Sequence, residues 1–344
     1  MKSIGLIGFK RGKKIIDIIN KTDLNLQVKA IYDPYIKNFR NNIKVYDNEK
    51  EFYNNSSFKN VYIASPVKFH SEQTINALKN NKNVLCEVPA FTKIKDGKKI
   101  FKILKKNNLV YNLAENYLFI PQHIALEKLI KKDFFGEIVY IRSSYIHDCK
   151  NLSFDNKKNK LTWRGLERLK YSGNDYPTHS IAPATNFLRL NKRNYNEKLI
   201  SIETYSTKEI ATTEFFRKNN HINKNFKFKR ADISLSKIIT NKKTIIDLVC
   251  DTSSNRPSSI IDLYIQGSNG AYVSGRYDYE EPLIYNKRFK NFKKFNYKKF
   301  LTNKDKKILE KLGNLFPLYK TLEHFEKSIS NSTFDNQLNF KNSF

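Results

Sequence analysis

The sequence predicts two domains of different class. Residues 1–118 read as an α/β domain with a doubly wound parallel sheet, and residues 119–330 as an α+β domain with a largely antiparallel, open sheet; 331–344 read as a frayed tail. Three observations carry this. Apolar runs of strand length alternate with helix-spaced segments through the first third of the chain. From about Phe119 that alternation gives way to strands in succession. A chain of 344 residues with 40% hydrophobic and 13% aromatic content is long and apolar enough to fill two cores.

SIGLIGF is a short apolar strand, and KKIIDIIN follows it at helical spacing. LQVKAIYD is a second strand ending in Asp33, and NVYIAS (60–65) a third. HSEQTINALKNN is a helix, NVLCEV a strand, KDGKKIFKILKKN a helix and LVYNLAE a strand. Such alternation implies a parallel sheet covered by helices. PQHIALEKLIKK is then a helix, and GEIVYIRSSYIHD alternates as a half-exposed strand does. A helix is expected over 175–190, behind prolines that favour a helix start. LISIETYS, DISLSKIIT, KTIIDLVCD and SIIDLYIQGS follow as strands with no helix expected between them, and the chain closes on helical DKKILEKLGNLFPLYKTLEHFEKSI.

The net charge of +30 comes from lysines scattered over the whole chain. The densest stretch, KRFKNFKKFNYKKF (287–300), interleaves aromatics with lysines, but it reads as a solvated edge and nucleic acid is not an expected partner. No apolar run approaches the ~18 residues of a membrane span, and MKS leads straight into GLIGF without a signal-peptide succession, so a cytoplasmic protein is expected. Cys86, Cys149 and Cys250 lie far apart with no histidine at zinc spacing; buried free thiols and no metal are expected.

The first strand-to-helix turn carries chemistry. A dinucleotide-binding Rossmann domain sets pyrophosphate on the N-terminus of its first helix, over glycines that let the backbone approach. GLIGFKRGKK offers Gly8 as the first glycine; Lys10 stands at the second position, or the loop is one residue short and Arg11-Gly12 closes it. Asp33 ends the second strand 25 residues after Gly8, where an acid bonds ribose hydroxyls and disfavours a 2′-phosphate, so the cofactor is read as NAD. Lys10 and Arg11 add positive charge for the pyrophosphate, and Ser65, which ends the third strand, is read with Pro66 and His70 just after it as the cofactor edge.

The stretch IASPVKFHSEQTINALKNNKNVLCEVPA resembles the Gfo/Idh/MocA oxidoreductase family, in which the last strand ends in Glu-Lys-Pro; here it ends in Glu87-Val88-Pro89. Glu-Val-Pro-Ala is similar to the NAD-dependent glycoside hydrolase family 109, an α-N-acetylgalactosaminidase branch. So, in order, are AENY (114–117), YIHD (145–148), WR (163–164), GNDYPTH (173–179) and DTSSNRPSS (251–259). The resemblance covers most of the chain. It implies Glu87, Tyr117, Tyr176 and His179 as catalytic residues and Arg164, Arg256 and Ser258 as substrate-binding ones, with Ser258 standing where the branch has a tyrosine. It also implies a sugar or glycoside substrate and a homo-oligomer.

The implied reaction oxidises the sugar C3, eliminates the C1 substituent, adds water and returns the electrons, with NAD regenerated each cycle. His179 suits proton removal at the C3 hydroxyl because imidazole titrates near neutrality. Tyr176, three residues earlier, shares its helix face, and Tyr117 is the candidate for the C2 proton. Glu87 is open to three roles: acid, base or nicotinamide orienter. Two further readings stay open, an ordinary NAD-dependent sugar or sugar-nucleotide dehydrogenase and a non-catalytic cofactor-binding scaffold.

Overall fold

In the N-terminal third, buried apolar strands line up in parallel because the helices between them cover both sheet faces. The computed structural model describes residues 1–39, 43–172, 176–189, 196–218 and 226–331. The elements are β1 (Lys2–Ile7), α1 (Phe9–Lys21), β2 (Leu26–Tyr32), β3 (Lys44–Tyr46), α2 (Glu49–Asn54), β4 (Asn60–Ile63), α3 (His70–Lys79), β5 (Asn83–Cys86), α4 (Ile94–Lys106) and β6 (Tyr111–Leu113). Among the described residues they form a six-stranded sheet of order β3-β2-β1-β4-β5-β6, parallel throughout. The order reverses direction between β1 and β4, and ligands of such sheets bind beyond the strand ends at that point. β3 and α2 were not expected from the sequence. α2 is started by Asn48, whose side chain accepts from the N–H groups of Lys50 and Glu51.

The second unit comprises α5 (Pro121–Lys131), β7 (Ile138–Ile146), β8 (Phe154–Asp155), β9 (Lys160–Leu161), α6 (Trp163–Lys170), α7 (Thr178–Phe187), β10 (Leu199–Ser206), α8 (Ile210–Lys218), β11 (Ile233–Thr240), β12 (Ile245–Asp251), β13 (Leu263–Gly267), β14 (Gly270–Val273), β15 (Leu283–Asn286) and β16 (Lys293–Lys294). Apart from the small β8-β9 pair, the strands among the described residues form an eight-stranded sheet of order β10-β11-β12-β7-β13-β14-β15-β16. Every pairing is antiparallel except β12 with β7. Leu126, Leu129, Ala184 and Phe187 of α5 and α7 pack on Ile141, Ile246, Leu248 and Ile265, so one sheet face is core. β10 is exposed along its whole length, and β16 closes the sheet with two exposed lysines.

α8 corrects the expectation of uninterrupted strands after 199. It is started from a distance: the Asp232 carboxylate accepts from the N–H groups of Ala211 at 2.6 Å and Thr212 at 3.1 Å, 21 and 20 residues before it. No local cap marks that helix in the sequence. The expected helix over 175–190 forms as α7, and 173–175 and 190 lie outside the described residues.

Two C-terminal helices, α9 (Asn303–Leu312) and α10 (Phe316–Asn331), belong with the N-terminal unit, which comprises Met1–Pro121, Asn191–Arg193 and Leu301–Phe344; the other comprises Gln122–Leu190 and Asn194–Phe300. Asn112 of β6 donates to Ser328 Oγ of α10 at 3.0 Å. Residues 332–344, most of the expected tail, lie outside the described residues. The cysteines are free, with Cys86 and Cys250 buried. Among the described residues no helix is long and apolar enough to cross a membrane, and no cluster of three His, Cys, Asp or Glu could hold a metal.

Glu323 of α10 accepts from Lys320 at 2.5 Å and lies 3.2 Å from Lys327 and 3.3 Å from Lys304. Burial opposes its charge, but the lysines outweigh it and bring its pKa from 4.5 to about 2. Its stabilisation is therefore present above pH 4.5 and lost as the pH falls through about 2. Acid titrations of Tm are expected to converge for the parent and Glu323→Gln near the low end of that window, with the parent more stable above it. Parallel curves would refute the assignment.

Candidate functional site

β1 ends at Ile7, and the chain turns on Gly8 with φ of 89° straight into α1 at Phe9. A Cβ on Gly8 would sit 2.6 Å from the Ala64 carbonyl oxygen, so the turn takes no side chain. Lys10, Arg11 and Gly12 fall within the first turn of α1, and Lys10 is exposed. A Cβ on Gly12 would come 3.3 Å from Leu6 Cδ1, which keeps α1 close to β1. The helix N-terminus carries its partial positive charge here. Asp33 Oδ2 accepts from the Phe9 N–H at 2.8 Å, and Oδ1 from the Tyr35 N–H at 2.9 Å. Each carboxylate oxygen can accept a second bond, so Asp33 caps α1 and still has capacity for a hydroxyl donor.

Those features fit a dinucleotide. The turn is bare of side chains, it opens onto helix N–H groups, and an acid closes the second strand.

Glu87 follows β5. Its Oε1 accepts from Arg11 Nε at 2.8 Å and from the Tyr62 hydroxyl of β4. Burial works against the Arg11 charge, but Glu87 and Tyr62 carry its pKa upward. Burial and Glu87 push the Tyr62 phenol well up, so it stays a donor. Arg11 is thus committed to a side chain, and Tyr62 is a partner of Glu87 that the sequence reading missed; only its place on a predicted strand pointed to it.

Ser65 Oγ donates to Gln73 Oε1, and Pro66 precedes a single 3-10 turn, Val67–Phe69. His70 is 1% exposed, with both ring nitrogens on backbone carbonyls. Tyr117 is 8% exposed in a 3-10 turn, Asn116–Phe119, whose start is tied by Glu115 Oε1 to the Tyr117 N–H at 3.0 Å.

In the second unit the structure brings Tyr176 and His179 together. Pro177 precedes α7, and His179 lies in its first turn with its ring 5.1 Å from that of Tyr176. Tyr145, at the end of β7, packs 5.1 Å from His179 and 6.4 Å from Tyr176. Its hydroxyl is 2.8 Å from His147 Nδ1. Burial lowers the His147 pKa, against Asp148 and Asp278, which raise it, and His179 adds to the lowering. The imidazole of His147 is therefore neutral near pH 7. Tyr145 completes this cluster; YIHD stood out in the sequence as a strand end and as one of the segments of the resemblance, but no role was read from it for Tyr145.

Arg164 is exposed at the start of α6, its guanidinium 4.2 Å over the Trp163 ring. Arg256 donates to the Arg276 carbonyl, and the Ser258 carbonyl accepts from the Asp278 N–H at 3.2 Å. The loop leading to them rests on two buried cations. Lys150 donates to the Ser253 and Ser254 carbonyls and to Asn255 Oδ1 at 2.9–3.0 Å. Arg168 donates to Thr252 O at 2.8 Å, Ser253 Oγ at 2.9 Å and Ser153 Oγ at 3.0 Å. Both look like ordinary surface residues in the sequence.

The family described as "Glycosyl hydrolase 109, C-terminal domain" matches residues 121–324, and "Oxidoreductase family, NAD-binding Rossmann fold" matches 2–115. A "Glycosyl hydrolase family 109 protein" of Saccharopolyspora erythraea is 24% identical over 214 residues, 61% of this chain and 46% of that protein. An "Alpha-N-acetylgalactosaminidase" of Shewanella oneidensis is 24% identical over 224 residues, 65% of this chain and 49% of that protein. The chain thus spans about half the length of the curated relatives it matches. Among solved structures, levoglucosan dehydrogenase in complex with NADH and levoglucosan has a TM-score of 0.74 at 17% identity, over 99% of this chain and 93% of that one. Scyllo-inositol dehydrogenase from Lactobacillus casei, with bound NAD(H) and scyllo-inositol, has a TM-score of 0.68 at 15% identity, over 99% and 94%. At these identities the likeness is one of fold.

Two substitutions test the supports. Gly8→Ala is expected to cost about 1–3 kcal/mol in denaturant unfolding. Arg168→Met, which strands buried hydroxyl and carbonyl groups, is expected to cost about 3 kcal/mol. Wild-type midpoints for either would remove it from the framework.

Proposed function

We propose a function for this chain from its membership: it belongs to the glycosyl hydrolase 109 family by its C-terminal domain, and carries that domain behind an NAD-binding Rossmann fold. The reading is a sugar-active, NAD-dependent enzyme that cleaves a glycoside through transient oxidation at C3. The observation that carries it is the packing of Tyr176 against His179 at the start of α7, with the Tyr145–His147 pair beside them.

Bound NAD would supply a reversible oxidant for the sugar C3 carbon. The turn at Gly8, the first-turn N–H groups of α1 and the Lys10 charge would hold its pyrophosphate, and Gly12 sets the helix close enough to do so. Asp33 would accept from the adenosine ribose, with Ser65 and Pro66 at its edge. Glu87, fixed by Arg11 and Tyr62, fits the role of nicotinamide orienter better than that of a proton carrier, because its hydrogen bonds hold it in one place. His179 would take the proton of the C3 hydroxyl while Tyr176 orients that hydroxyl. Tyr117 would move the C2 proton. Arg164, Arg256 and Ser258 would bind sugar hydroxyls, the arginines with their planar forks.

The relatives' names point to N-acetylgalactosaminides as the first substrates to try. The exposed side chains of β10, Leu199, Ile200, Ile202 and Tyr205, support a homo-oligomer; a monomeric mass by light scattering would remove that part.

The decisive assay gives the protein NAD and chromogenic α- and β-glycosides, N-acetylhexosaminides included, and follows aglycone and NADH together. Aglycone release without NADH accumulation is expected. NADH formed in step with free sugar would make the protein a dehydrogenase, and neither signal would make it a cofactor-binding scaffold. His179→Ala is expected to slow release by ~10²-fold or more while leaving NAD affinity unchanged. Full turnover in that variant would overturn the role.

A further inference from the structure

His70 opens α3 and is buried, yet neither ring nitrogen is free to meet a ligand. Nδ1 lies 2.8 Å from the Pro89 carbonyl oxygen, and Nε2 lies 2.8 Å from the Ser65 carbonyl oxygen. A carbonyl oxygen only accepts. A neutral imidazole has one N–H, so either tautomer would press a lone pair against a lone pair. The doubly protonated ring satisfies both contacts. Pro89 lies in the segment after β5, two residues from Glu87, and Ser65 lies in the segment after β4.

We propose that His70 is a charged clamp, a positioning residue that ties the segment after β4 to the segment after β5 and so fixes where Ser65 and Glu87 stand. The consequence for NAD rests on the cofactor reading above; the charge state does not.

The charge is held against two opposing effects. Burial lowers the pKa, and the N-terminal end of α3 disfavours a cation. Cys86 of β5, the titratable group against the ring, which attracts the cation as its thiol ionises, and the two carbonyls outweigh burial and raise the pKa from 6.5 to about 9. Lys68 and Glu72, the charged residues nearest in sequence, are exposed. The stability the clamp contributes is therefore fully present below pH 6.5 and lost as the pH rises through about 9.

The first test is nitrogen-detected NMR of the full chain with labelled histidine. Both ring nitrogens of His70 are expected to carry protons near pH 7; one bare nitrogen there overturns the proposal, whether or not any variant folds. The second is calorimetry with NAD. His70→Gln is expected to weaken NAD about tenfold and to lose the decline in Tm that the parent shows between pH 6.5 and about 9. Unchanged affinity together with an unchanged pH slope would also overturn it. A parent that binds no NAD would sink the cofactor reading and leave the NMR result to decide the clamp.

Discussion

Cationic side chains taken out of water and donated to loop carbonyls hold the strand ends of both units. Lys82 donates to the Asn55 and Phe58 carbonyls at 2.7 Å, where the chain enters β4. Lys150 and Arg168 do the same for the loop after β12, and His70 for the segments after β4 and β5. A loop carbonyl without a partner is costly to bury, and a cation is costly to bury alone. Joining the two meets both costs, and it leaves carboxylates such as Glu87 for other work. In a chain of net charge +30 most cations must face water; among the described residues the buried lysines and arginine, Lys82, Lys150 and Arg168, are ones that loops are built on.

The nucleotide turn shows how close packing sets chemistry. The Ala64 carbonyl lies where a Gly8 Cβ would be, and α1 begins one residue after β1. In that first turn the Phe9 N–H meets Asp33 and Arg11 meets Glu87. Two residues that sequence spacing assigned to the cofactor therefore also have protein partners. One acts as a cap and the other as a brace, and each gains rigidity from the second task.

The parallel sheet was legible because β1, β4 and β5 are short apolar runs separated by helices, a pattern few folds share. The Tyr176–His179 pair was legible from its three-residue spacing at a helix start, but the expected shared helix face did not form: α7 begins at Thr178, Tyr176 stands before the Pro177 cap, and the two rings meet edge to face. What could not be read were partners distant in sequence. Asp232 starts α8 from 20 residues away, Tyr62 meets Glu87 across neighbouring strands, and α10 docks on β6 through Ser328 and Asn112. Lys150 and Arg168 escaped notice because a buried cation and a solvated one have the same letter. The short strands β14, β15 and β16 lack the length over which alternation becomes visible.

The sheet of the second unit stops at β16, a strand of two residues, Lys293 and Lys294, both exposed. A further strand laid along that edge would have to bring its own backbone beside the Lys293 ammonium and the Lys294–Glu281 ion pair and shed their water. Lysines on an edge strand act as gatekeepers against such pairing. That border of the sheet is thus closed to extension by solvation, with no covering helix required, and the lysine-rich character of the chain serves there as protection against fibrous self-association.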